Sequence, residues 1–228
     1  MAISTGSAAI DSLLGGGVRE GMVTDIFGQS GSGKSQLCFT LSANCAKDGG
    51  KVVFVDTAGT FRPERIIDIG SQNALEKITF VRPLSTLDQI NTINKIQDIE
   101  PQLVIIDTLT SLFSAEYSGA SRHLAVMKYL HQLAIWAINS YCSVVVTNMV
   151  RNAPITLVDQ GGHNVAQAIV PWHQREYLGS SVSIYSHVRL KLEIINAAKS
   201  LFQAVLIQPV GKDPAHYRIT GKGICDII

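Results

Sequence analysis

Charge is scarce in this chain. Asp, Glu, Lys and Arg make up only 16% of its 228 residues, and 19 basic against 18 acidic side chains leave a net charge of +1. That balance excludes a bulk attraction to nucleic acid or to an anionic membrane, so binding of that kind has to be local. It also excludes the Lys- and Glu-rich ion-pair surface typical of hyperthermophilic proteins. The four cysteines, Cys38, Cys45, Cys142 and Cys225, show neither CxxC nor metal-ligand spacing and sit among apolar neighbours. A disulfide framework is therefore excluded, and buried thiols in a reducing, cytoplasmic setting are expected. No stretch approaches the ~20 apolar residues of a membrane span. The opening residues, Met1 to Gly6, lack the basic and apolar regions of a secretion signal. What is present is 46% hydrophobic residues and 19 glycines, the profile of an ordinary globular chain whose length suits one domain, expected over residues 1–228.

Short β-branched runs alternate with longer helical stretches. The runs are Met22 to Phe27, Val52 to Asp56, Ile78 to Val81, Leu103 to Asp107 and Ser143 to Thr147. Between them, helices are predicted at Lys34 to Lys47, Pro63 to Gly70, Thr86 to Asp98 and Ser121 to Ser140, the last with Leu124, Met127, Leu130, Leu133 and Ile135 as its apolar stripe. This alternation predicts an α/β fold with a mostly parallel, doubly wound sheet covered on both faces. Residues Leu112 to Ser121 and Met149 to Leu178 read as loops, the second long enough to be functional. His187 to Ile195, Gln203 to Gln208 and His216 to Thr220 read as antiparallel strands added to the edge of the sheet.

Gly28-Gln29-Ser30-Gly31-Ser32-Gly33-Lys34-Ser35 fits the phosphate-binding pattern G-x-x-x-x-G-K-[ST], with a β run before it and a helix after it. Glycines let successive backbone N–H groups converge on a phosphate chain at the helix N-terminus, where the partial positive charge adds to their pull. Lys34 is expected on the terminal phosphates and the Ser35 hydroxyl on Mg²⁺. Four apolar residues ending in Asp107 place a carboxylate at the same edge of the sheet, as the second partner of the metal. ATP and Mg²⁺ are the implied ligands.

Beyond these motifs the chain resembles the RecA/RadA recombinase superfamily, and within it the archaeal RadB group of RadA paralogues. The resemblance is carried by Ser4-Thr5-Gly6-Ser7, Ile10 to Gly17, the phosphate turn, the run Asp56-Thr57-Ala58-Gly59-Thr60-Phe61-Arg62-Pro63-Glu64-Arg65, the Asp107 strand, and Val146-Thr147-Asn148. It implies a RecA-like P-loop NTPase core without the N-terminal helical DNA-binding domain and polymerisation linker of full RadA-like recombinases. The expected role is a recombination and repair accessory associated with the nucleoid, which binds ATP, single-stranded or branched DNA and a RadA-type recombinase; self-assembly is left open. Two readings stand beside it: a strand-exchange ATPase in its own right, and a nucleotide-sensing scaffold that ignores DNA.

Two departures from the family pattern fall at its chemical centre. The resemblance implies a water-activating glutamate where this chain has Ala58, and a glutamine that senses the terminal phosphate where it has Met149. A methyl group accepts no proton and a thioether donates nothing to a phosphate oxygen, so hydrolysis is expected to be very slow and the relay to the DNA loops weakened. Glu64 and Glu116 are the carboxylates considered as substitutes. Arg65 is assigned by the resemblance to the adenine ring, or else to a surface pair with Glu64 or Asp68. Arg122, just behind the first loop, and Arg151, His173 and Arg175, interleaved with aromatics in the second, are the expected DNA contacts. Lys212 stands in the loop that, by the resemblance, reaches a neighbouring subunit's nucleotide, or else is a solvated surface lysine.

Overall fold

A computed structural model describes residues 2–154, 172–210 and 213–227 of the chain, the side chains of 152–154 and 172–174 excepted. Along the chain lie β1 (Ala2–Ile3), α1 (Ala8–Leu14), β2 (Val18–Arg19), β3 (Val23–Gly28), α2 (Lys34–Lys47), β4 (Val52–Asp56), α3 (Pro63–Ile69), α4 (Gln72–Leu75), β5 (Ile78–Val81) and α5 (Thr86–Ile96). Then come β6 (Leu103–Asp107), α6 (Ser111–Glu116), α7 (Gly119–Ser140), β7 (Ser143–Pro154), β8 (Trp172–Glu176), α8 (Gly179–Val182), β9 (Val188–Asn196), β10 (Leu201–Gln208), β11 (Ala215–Thr220) and β12 (Gly223–Asp226).

The large sheet has the order β12-β11-β10-β9-β3-β7-β6-β4-β5, with β8 hung on β7. Every pairing from β9 across to β5 is parallel, and β10, β11 and β12 continue antiparallel. The α/β fold and its antiparallel tail are thus as the periodicity predicts. The first tail strand differs. β8 carries the chain back beside β7, so β9 starts at the same end as β3 and runs parallel to it.

The continuous apolar runs have the reason expected of strands buried on both faces. In β4, Val52 and Phe54 face a core built with Leu37, Phe39 and Leu41 of α2, while Val53 and Val55 face a second core with Ile93 of α5 and Leu130 and Leu133 of α7. β6 alternates in the same way, with Leu103 and Ile105 on one side and Val104 and Ile106 on the other. Phe39, Phe54, Phe61 and Phe80 form a chain of ring contacts from the first core out to the edge strand β5.

Several expectations need correction. Most of 112–121 is helical rather than loop, because the chain turns into α6 directly after Thr110 and buries Phe113. Part of 149–178 is a two-stranded ribbon, β7 running on to Pro154 and β8 pairing back on it. The stripe on α7 is rotated: Val126, Tyr129, Leu130, Leu133, Ala134 and Ala137 are buried, whereas Leu124 and Ile135 are about half exposed, at 53% and 48%. Cys225, on the edge strand β12, is half-buried, unlike the other three cysteines. No helix among the described residues is long and apolar enough to cross a membrane.

Asp226 of β12 reaches back to the start of α1. Its carboxylate accepts from the Ser7 hydroxyl at 2.5 Å and from the backbone N–H of Ala8 at 2.9 Å and Ala9 at 3.1 Å, meeting donors that the helix itself leaves free. The Ser7 hydrogen bond, followed by those from Ala9 and Ala8, holds the Asp226 carboxyl below its ordinary pKa. A lowered folded-state pKa means stability that is present above the ordinary carboxylate value and lost as pH falls through the lowered one. Asp226→Ala is expected to cost about 1 kcal/mol near neutral pH, with the gap to the parent closing in acid, as read by urea melts across pH.

Candidate functional site

The phosphate turn is shaped by close approach. A side chain at Gly28 would put its Cβ 2.2 Å from the Leu192 carbonyl, and Gly33 has φ +94 with Ile219 packed where its Cβ would stand. Lys34 Nζ donates to the Gly28 carbonyl at 2.8 Å and the Gln29 carbonyl at 2.9 Å, so the ammonium lies over the turn. Burial lowers the Lys34 pKa, against which Asp107 pulls the other way.

Ser35 donates to Asp107 Oδ2 at 2.6 Å, and Thr147 donates to Asp107 Oδ1 at 2.5 Å. A hydroxyl and a carboxylate in contact beside a turn of backbone N–H groups are the hard oxygen donors that Mg²⁺ takes alongside phosphates. The cleft they border has a volume of about 470 Å³; it is lined by Ser30, Gly31, Gly33, Lys34, Ser35 and Gln36 on one side and by Ala58, Thr60, Asp107, Thr108, Met149 and Val150 on the other. Among the described residues, Ser32 Oγ and Thr108 Oγ1 are buried with no hydrogen-bond partner, so the turn and the cleft wall each carry an unused polar atom. The donors present suit a phosphate chain and a hard cation.

Ala58 and Met149 line the same cleft. Asp56 fixes the backbone around Ala58: Oδ1 accepts from the N–H groups of Ala58, Gly59 and Thr60, and Oδ2 accepts from that of Phe61. Neither substitute carboxylate is in place. Glu116 accepts from the backbone of Thr86 at 2.9 Å and so caps α5, and Glu64 is an exposed residue in the first turn of α3. Arg65 does not line the cleft. Its guanidinium donates to Gln36, which does, to the carbonyls of Thr220 and Gly221, and to Asp68, its partner in place of Glu64.

The three arginines assigned to DNA are brought together. Arg151 and Arg175 stand directly opposite across the β7–β8 ribbon, a like-charge pairing that favours an anion nearby. Arg151 stacks on the Tyr177 ring at 3.8 Å, and Arg122 donates to the Tyr177 hydroxyl. Arg151, Arg175 and His123 border a pocket of about 580 Å³, in whose lining Glu176, Arg189 and the buried Phe27 also take part. The backbone of His173 pairs with Ala153, but its side chain lies outside the described residues, as does Lys212.

Behind both sites lies a buried polar group that the sequence reading missed. Asn148 donates to Glu176 at 2.7 Å and to the Tyr177 carbonyl at 2.6 Å, and accepts from the Thr110 hydroxyl and the Met149 N–H, each at 3.0 Å. Glu176 pairs in turn with Arg189, which also donates to Asp25 at 3.3 Å. Asp25 and Arg189 are register partners on β3 and β9.

A model of the Rad51 family matches residues 1–227 of the chain. The chain belongs to the Rad51 family. Among curated proteins it is similar to the DNA repair and recombination protein RadA of Metallosphaera sedula, 38% identical over 189 residues that cover 72% of this chain and 58% of that protein. The RadA proteins of Cenarchaeum symbiosum (37% over 172 residues, 67% of this chain and 43% of the relative) and Aeropyrum pernix (36% over 191 residues, 73% and 60%) are similar too. The chain thus spans about half the length of these relatives.

Burial, and next the nearby Glu176, raise the Asp25 pKa well above the ordinary carboxylate value, with Arg189 pulling down. A raised folded-state pKa means stability that is full in acid and lost as pH rises through the raised value. Asp25→Asn is therefore expected to remove this loss, so that its melting temperature gains on the parent's as pH increases from ~4; curves that stay parallel in thermal melts would refute the assignment.

Proposed function

We propose that this Rad51-family chain is a RadB-like accessory of DNA recombination and repair that binds ATP·Mg²⁺, DNA and a RadA-type recombinase but hydrolyses ATP very slowly. In this reading the N–H groups of the 28–35 turn and Lys34 hold the phosphates. Ser35 and Asp107 hold the Mg²⁺, which offsets charge on the phosphates when bound. Arg65 braces the nucleotide side through Gln36.

One observation carries the reading. Asp107 is the only carboxylate among the described residues lining the cleft, and both its oxygens are occupied by Ser35 and Thr147. Where a base would stand there is the methyl of Ala58. A pocket that can grip a triphosphate and has no group to take a proton from water is suited to a nucleotide-dependent switch rather than to turnover. Restoring the carboxylate tests this: Ala58→Glu is expected to raise ATP hydrolysis by ~10²-fold or more with nucleotide affinity little changed. Brisk turnover by the unmodified chain, with or without single-stranded DNA, would favour an enzyme acting in its own right.

The recombinase contact is supported by one edge of the sheet, at β5. Among the described residues β5 is unpaired on its outer side, Phe80 is 43% exposed on it, and Leu84 and Leu87 beside it are 81% and 67% exposed. An open strand edge next to apolar side chains accepts an extended peptide by strand addition. On the DNA side, neutralising one phosphate contact on a single strand lowers the salt slope of binding by ~0.7. Arg151→Ala and Arg175→Ala are each expected to weaken oligonucleotide binding and flatten the plot of log affinity against log salt by about that amount; unchanged slopes would move the DNA site elsewhere.

A further inference from the structure

Among the described residues the Met149 side chain has no hydrogen-bond partner that could report on the cleft, yet the amide of the residue before it makes four contacts. Asn148 is fully buried, and each of its amide atoms is used twice. The orientation is determined, because its two acceptors, the Glu176 carboxylate and the Tyr177 carbonyl, can meet only the NH₂ end. Its chain neighbour Thr147 grips Asp107, the carboxylate bonded to Ser35. Any pull on Asp107 at the cleft is therefore passed along β7 to Asn148.

Glu176 receives that pull. Its side chain is 4% exposed and bonded on one oxygen to Asn148 and on the other to Arg189, itself tied to Asp25 on the strand that feeds the phosphate turn. A buried carboxylate held at both oxygens by groups from different strands has no alternative partner, so it moves with them. The next residue, Tyr177, is fixed to the same strand by its N–H on the Met149 carbonyl at 2.8 Å and by its carbonyl on Asn148. Its ring carries Arg151, and its hydroxyl holds Arg122.

We infer that Glu176 is a positioning residue that couples the phosphate cleft to the arginine pocket, by locking Asn148 and setting, through Tyr177, where Arg151 and Arg122 point. This rests on the reading that the two sites bind nucleotide and DNA. It supplies a route between them that does not run through the Met149 side chain.

The test compares single-stranded oligonucleotide affinity with and without a non-hydrolysable ATP analogue and Mg²⁺, by fluorescence anisotropy on the intact chain and on Glu176→Gln. Couplings of this kind are typically 5- to 150-fold; about tenfold is expected for the parent chain and less than about twofold for the variant. Nucleotide affinity without DNA should match the parent's, since Glu176 does not border the cleft. By reciprocity, the oligonucleotide should tighten nucleotide binding by the same factor in the parent and not in the variant. A merely structural role would lower melting temperature and both affinities but leave their ratio intact, and a retained ratio overturns the inference. If the parent binds only one of the two ligands, the functional reading fails first, and the inference with it. Should Glu176→Gln not fold, Tyr177→Leu keeps the buried ion pairs and removes both the ring under Arg151 and the hydroxyl on Arg122; a ratio it leaves unchanged equally overturns the route.

Discussion

The carboxylate of Asp107 is the point at which the molecule is pinned together. It accepts one hydroxyl from helix α2 and one from strand β7, each at hydrogen-bond distance. The strand that carries it is buried on both faces, and Asp107 and Thr147 are themselves buried, while Ser35 stands at the wall of the cleft. A short charge-assisted contact in such a setting fixes geometry more firmly than a surface pair would. The first helix after the phosphate turn, the central strand and the strand leading to the ribbon consequently hold one arrangement. Both pockets inherit their shape from it.

Much of this was legible in the residues. Two-sided burial writes strands as unbroken apolar runs, and Val52 to Asp56 and Leu103 to Asp107 are such runs with a carboxylate at the end, so strand, sheet edge and site residue could be read together. The phosphate turn was equally plain, because its glycines, lysine and serine are consecutive. The stripe on α7 misled because that helix also has apolar residues on its outer side; Leu124 and Ile135 share the helical period with Leu130 and Leu133 without sharing their burial. Period alone gives a face its spacing and leaves its direction to the packing.

The hidden residues are those whose role depends on contacts distant in sequence. Asp25 and Arg189 are 164 positions apart, and no local pattern announces that a polar residue inside an apolar strand will find its counter-charge there. An aspartate in the middle of Val23 to Gly28 is nonetheless a signal, since a buried carboxylate requires a partner somewhere. Glu176 lies in a stretch that reads as loop, where, with Asp159, it counts only as charge set against the arginines, and nothing local points to its buried partners. Glu116 is taken up by the backbone at the start of α5, a contact 30 residues away, and Asp56, one position of a motif in the sequence, organises the whole turn after β4.

That turn has a further meaning for how such a protein changes over time. The segment after β4 is built from main-chain N–H groups on a single aspartate, and the side chain at position 58 takes no part in its construction. Folding is therefore indifferent to what stands there. In the proposed reading a carboxylate can be lost or regained at this one position while the turn that carries it keeps its shape, because that shape is set by Asp56 and the backbone.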